Sequence, residues 1–139
     1  MGPIINLGDN TSAQASLDSA GDRVLLVHRE QTQRLGRIIL HELRVVDNLQ
    51  LSPVRRCPVD TGPLQDDQLY PVISIDGHNV HVAWEDRRLG HTVIIYSQSK
   101  PTKKWMFDPP TRISEQPQGP DNEFGELHGV ARVALANYG

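Results

Sequence analysis

A pattern of short strands recurs along this chain with a period in the fifties, and this recurrence limits the available folds more than any single motif. Its clearest copy is Ile73 to Ser99. Ile73-Ser74-Ile75 stops at Asp76-Gly77, a strong turn pair. Val80-His81-Val82-Ala83-Trp84 alternates apolar with polar or small residues, as a half-buried strand does. Thr92-Val93-Ile94-Ile95-Tyr96 is β-branched and aromatic, which suits a strand. Upstream, Ala15–Asp18 lines up with Ile73–Asp76, Val24–Val27 with Val80–Ala83, and Leu35–Leu40 with Leu89–Ile94. Pro53–Arg56 lines up with Pro110–Ile113. The spacing differs a little from strand to strand, and Val133–Ala136 repeats the first strand once more.

The repeat decides one ambiguous segment. Arg37 to Val46 is apolar enough to suggest a helix, but its period is unresolved. Alignment with Thr92–Tyr96 makes Arg37–Leu43 a strand. Four strands per unit at such a period is the organisation of β-propeller blades, so the predicted class is all-β. The predicted units are 13–69, 70–129 and the opening strand of a third at 130–139, within one domain over 1–139. Ile4-Ile5 is expected to form part of a further strand. Propellers need about four to eight blades. The expectation is therefore a partial propeller, completed by other copies of the chain or by the rest of a longer one. An unpaired apolar strand at 130–135 would need a partner.

The second unit resembles a blade of the sialidase-type, Asp-box (BNR) propeller superfamily. The residues that carry the resemblance are Ile75-Asp76-Gly77, Val80 to Trp84, Glu85-Asp86-Arg87, Tyr96-Ser97-Gln98-Ser99 and Trp105. It covers 70–114 well and 13–56 weakly. The Asp-box itself, Ser-x-Asp-x-Gly-x-x-Trp, is degenerate. Between Ser99 and Trp105 stand Lys100-Pro101-Thr102-Lys103-Lys104, with neither Asp nor Gly. The resemblance implies ligand sites on one face, around the propeller axis. It implies sialidase chemistry only with an Arg-Ile-Pro signature, which this sequence lacks; Arg112-Ile113-Ser114 is not that motif.

In an up-and-down blade, the loop between the second and third strands shares a face with the loop between blades. That face is expected to carry His28–Arg34, Cys57–Tyr70, Glu85–His91 and Glu115–His128. Glu85, Asp86, Arg87 and Arg88, with Arg29 and Glu30, are the candidate ligand-binding residues; Asp66 and Asp67 lie on the same face. Guanidinium groups bind carboxylates bidentately, and neighbouring carboxylates orient them and accept sugar hydroxyls. The competing reading is a solvated, self-paired turn contributing about 0–1 kcal/mol.

Composition narrows the function further. The net charge of −3 and the absence of any long Lys/Arg run argue against a nucleic-acid footprint. No apolar stretch reaches the length of a membrane span, and the N-terminus has no signal-peptide pattern, which leaves the compartment unassigned. The single cysteine, Cys57, excludes an intrachain disulfide and any multi-thiolate zinc site. The six histidines are scattered, Trp84 and Trp105 read as packing residues, and no catalytic, metal or cofactor motif appears. The expectation is a non-catalytic propeller that recognises a glycan or protein through its inter-blade loops. The alternatives are part of a sialidase-like glycosidase whose catalytic residues lie on other blades, or a structural assembly subunit.

Overall fold

The computed structural model describes residues 11–32, 35–47, 50–64, 67–77, 79–87, 92–100 and 106–113. The regular elements among them are strands. They are β1 (Thr11–Ala20), β2 (Arg23–Thr32), β3 (Leu35–Val46), β4 (Gln50–Pro58), β5 (Gln68–Asp76), β6 (Asn79–Asp86), β7 (Val93–Lys100), β8 (Met106–Phe107) and β9 (Thr111–Arg112). β1 to β4 form one antiparallel sheet in chain order. β5 to β8 form a second, with β9 also pairing to β7. The described residues make two packed sheets and do not close into a ring. Ile4-Ile5, the box hairpin at 101–105 with Trp105, the loop 115–128 and the strand expected at 130–135 lie outside the described residues.

Local chemistry explains the boundaries. Gly21 and Gly77 close the first hairpin of each sheet with φ of 61° and 56°, a conformation glycine adopts without penalty. β3 is a strand, as the repeat requires. β4 carries Pro53 and lies at a sheet edge, where a missing N–H is tolerated. The fourth strand of the second sheet is broken into β8 and β9 around Asp108-Pro109-Pro110, because two successive prolines cannot donate to a ladder.

The ladders fix the spacing between units. Leu17 pairs with Leu26 and Leu26 with His41; Ile73 pairs with Val82 and Val82 with Ser97. Leu17 therefore matches Ile73, Leu26 matches Val82 and His41 matches Ser97, one constant spacing in all three strands. The expected alignments set Ala15 against Ile73 and Leu35 against Leu89, so each slips by two positions. A slip of two leaves every side chain on its face, and the apolar pattern cannot detect it. In the fourth strand Pro53 pairs with Leu43 and Phe107 with Ser99, so Pro53 matches Phe107 rather than the expected Pro110.

Each first strand also carries a bulge at the same place. The register shifts between Ala13 and Ser16 in β1, and between Leu69 and Val72 in β5. Gln14 and Tyr70, separated by that same constant spacing, are the two non-glycine residues with positive φ among those described, at 56° and 48°. Pro71 sits within the second bulge, a position that needs no ladder donor.

The core lies between the sheets, where β5 packs across β1, β2 and β3. Leu25, Val27, Ile38 and Leu40 from the first sheet meet Ile73, Ile75, Val80, Val82, Trp84, Val93 and Ile95 from the second, with Val59 closing one end. Burial of such side chains contributes about 1.5–3 kcal/mol each. Two side chains of β1 also satisfy the free edge of β5. The Gln14 Oε1 accepts from the Tyr70 N–H at 2.8 Å, and Asp18 Oδ2 accepts from the Ile75 N–H at 2.9 Å. The other oxygen of Asp18 accepts from Ser19 N–H at 2.9 Å, and Ser19 is the repeat-mate of Ile75. One carboxylate thus caps equivalent N–H groups in both units.

Candidate functional site

The ends of β2 and β6 and the starts of β3 and β5 come together at one end of the two sheets, and several of the candidate residues lie there. Asp67, just before β5, is the hub. Its Oδ1 accepts from Arg29 Nη2 at 2.8 Å and from the Gly36 N–H at 2.6 Å. Gly36 is required for this. A Cβ there would fall 2.2 Å from Arg29 Nε, so only glycine lets the guanidinium lie over the backbone. Burial works to raise the Asp67 pKa. The Gly36 N–H and the Arg29 guanidinium outweigh it, with help from the charge of Arg87, and hold the carboxyl below its ordinary range. Arg87 itself is exposed. The site therefore presents one guanidinium paired with a carboxylate, with the exposed Arg87 following the end of β6 nearby.

The loop that delivers Asp67 is anchored to the edge of β3 beyond the last rung with β4. The Val59 N–H donates to the Ile38 carbonyl at 3.1 Å, and the Ile38 N–H donates to Gln68 Oε1 at 2.8 Å. Arg37 donates to the carbonyls of Asp60 and Gly62, at 2.6 and 3.1 Å, and Asp60 Oδ1 accepts from the Gly62 N–H at 2.9 Å. Gln68 is almost fully buried, so its amide replaces a backbone strand partner for Ile38.

The sequence-predicted residues part company here. Arg29 pairs with Asp67, and Arg87 stands exposed one residue beyond Asp86, the rung partner of Gln68. Glu30 lies on the opposite face of β2, buried, and forms an ion pair with Arg56 of β4. Glu85 and Asp86 are not in a solvated turn. They are the buried end of β6, and Asp86 Oδ2 accepts from the indole N–H of Trp84 at 3.2 Å. Arg88 and Asp66 lie outside the described residues. His28 to Thr32 belong to β2 rather than to a loop, and Cys57 and Pro58 belong to β4. Cys57 packs against the core, and burial pushes its thiol pKa up, which makes it a poor nucleophile. Among the described residues no three His, Cys, Asp or Glu side chains are placed to hold a metal. Among them, too, no helix is long and apolar enough to cross a membrane.

Asp67 was placed on this face but not among the ligand-binding candidates, and Gly36 and Gln68 were not singled out. Their signal was weak because Asp67 and Gly36 are 31 residues apart and meet only through the β3 edge.

No protein-family model and no curated protein matches the chain. A solved structure does: a candidate glycoside hydrolase from Bacteroides ovatus ATCC 8483, with a TM-score of 0.50 and 11% identity. The match covers 72% of this chain and 31% of that one, so the chain spans about a third of the structure it resembles. The likeness is one of fold: an all-β arrangement built on antiparallel sheets.

Proposed function

We propose that the chain is a pair of consecutive β-propeller blades of sialidase-like type, units 13–69 and 70–129 with 130–139 opening a third, that recognises a glycan without catalysing its cleavage. The carrying observation is the Arg29–Asp67 ion pair at one end of both sheets, with the exposed Arg87 one residue beyond Asp86, the rung partner of Gln68. Arg87 offers an exposed guanidinium to a carboxylate or hydroxyl, and Asp67 offers an acceptor whose orientation Gly36 and Arg29 fix. Glu85 and Asp86 support this end from within β6, and Arg88 follows Arg87 in the sequence. Glu30, tied to Arg56, serves the sheet rather than the ligand. Binding of Arg87→Ala to a glycan array tests the reading. Loss of the wild-type signal, with partial return in Arg87→Lys, is the expected result; an unchanged array profile removes Arg87 from the site.

A second reading is favoured by the coverage of the structural match. The chain spans 31% of a candidate glycoside hydrolase, which fits blades of a larger glycosidase whose catalytic carboxylates lie elsewhere. Release of a chromogenic leaving group from aryl glycosides by the chain alone would contradict a site on other blades. A third reading is assembly with further copies of the chain. It is supported by Leu17, which is 63% exposed where its repeat-mate Ile73 is 6% exposed. Native mass spectrometry tests it, with a closed oligomer expected.

A further inference from the structure

On the face of the first sheet opposite the second, His28 of β2 and His41 of β3 meet diagonally across the ladder. Their rings stack with centroids 4.9 Å apart and an interplanar angle of 20°, and the two Nε2 atoms are 2.8 Å apart. Both residues are buried, at 4% and 3% exposure. A contact of that length between two imidazole nitrogens holds one hydrogen: one Nε2 donates and the other accepts. The pair is therefore complete when both rings are neutral. His28 Nδ1 is buried and makes no hydrogen bond, and the Arg29 backbone offsets only part of the burial penalty on a proton added there. With His28 Nε2 as the donor, a proton added at His41 Nε2 sets N–H against N–H.

The charged groups on this face, among the described elements, are Glu30 of β2, Arg37 of β3 and Arg56 of β4. Arg37 is engaged by the Asp60 and Gly62 carbonyls. The Glu30–Arg56 ion pair reaches across β3 and ties β2 to β4 beside the histidines. A positive imidazole would compete with Arg56 for Glu30. The register shared by the two units supplies a comparison within the chain. Trp84 occupies the place of His28, Ser97 that of His41 and Asp86 that of Glu30, all three buried. The second unit fills the same place with an indole and a hydroxyl, neither of which takes up a proton.

We propose that His28 and His41 form an acid-released latch that holds β2, β3 and β4 together while both imidazoles are neutral and lets them part when either is protonated. Electrostatics run the same way. Burial lowers the His28 pKa, partly offset by Glu30 and the Arg29 backbone. Burial, with the neighbouring His28 and Arg56 charges, lowers that of His41 to about 4. Folded-state values below the unfolded value near 6.5 mean that the unfolded chain binds more protons. The latch's contribution is then complete above pH 6.5 and is lost as pH falls toward 4.

Denaturant unfolding at a series of pH values, for the wild type and for H28W/H41S, tests the latch. The double variant installs the second unit's own solution. Between pH 7 and 5 the wild-type unfolding constant is expected to rise on the order of tenfold more than that of the variant. Equal pH slopes in the two proteins would overturn the proposal. Should the variant not fold, long-range ¹⁵N–¹H correlation spectra of the wild-type histidines decide. Two neutral rings at pH 6 sharing one Nε2 proton support the latch. Rings titrating near 6.5, as free imidazoles do, sink it.

Discussion

The two sheets share one register and differ in what they place on it. At equivalent positions the second sheet has Ile73, Trp84 and Ser97, and the first has Leu17, His28 and His41. In the second sheet this face turns toward the core, and the indole is fully buried with its N–H on Asp86. In the first sheet it turns away from the second, Leu17 is exposed, and two histidines take the place of indole and hydroxyl. The same backbone plan thus supports an apolar solution where a partner sheet is present and a polar, proton-sensitive one where the second sheet is absent. Position in the repeat fixes direction, and the neighbour on that side sets the chemistry.

The sharpest way to break this comparison is at Trp84. Trp84→Ala empties the centre of the interface and removes the indole N–H from the Asp86 carboxylate, and should cost about 3–5 kcal/mol in denaturant unfolding. A loss no larger than that of a surface change would mean that the sheets do not depend on each other. The pair Ile73→Ala and Leu17→Ala sharpens the comparison at one register position. The first should cost about 2–5 kcal/mol. Asp18→Ala removes the acceptor from both Ser19 and Ile75, with an expected cost of about 1–3 kcal/mol and faster hydrogen exchange at Ile75. Leu17→Ala in a monomer should stay within about 0.5 kcal/mol. If it equals Ile73→Ala, Leu17 is buried in solution, and the assembly reading gains.

Much of the fold was legible because alternation and turns are local. Asp76-Gly77, the Val80–Trp84 alternation and the likeness of Arg37–Leu43 to Thr92–Tyr96 sufficed for antiparallel strands. Spacing was legible only to within two positions, since the pleat repeats every two. The site was half legible. Arg29 and Arg87 stand out as charges beside strand ends, but the Asp67 carboxylate that takes Arg29 depends on where its segment lands. Glu85 and Asp86 looked like a solvated turn because a buried strand end and a charged loop have the same composition. The burial becomes visible only when Trp84 is seen donating to Asp86. The histidine pair had no local signal: the two residues are 13 apart and meet only through the β2–β3 register. The alignment of Val24–Val27 with Val80–Ala83 already sets His28 on Trp84, but the two-position slip in the third strand set His41 against Ile95 instead of Ser97.

The bulge at Tyr70 acts on the pleat as a frameshift acts on a reading frame. Gln68 and Ile73 are an odd number of residues apart, yet both face the first sheet, since Gln68 pairs with Asp86 and Ile73 with Val82. Straightening the bulge with every residue kept would slip the Gln68–Leu69 end by one position and turn Gln68 to the other side. Ile38 would lose its amide partner, and the segment carrying Asp67 would lose its mooring. The extra residue in β5 therefore sets the phase in which everything before it is read, and the binding end of the molecule depends on that phase.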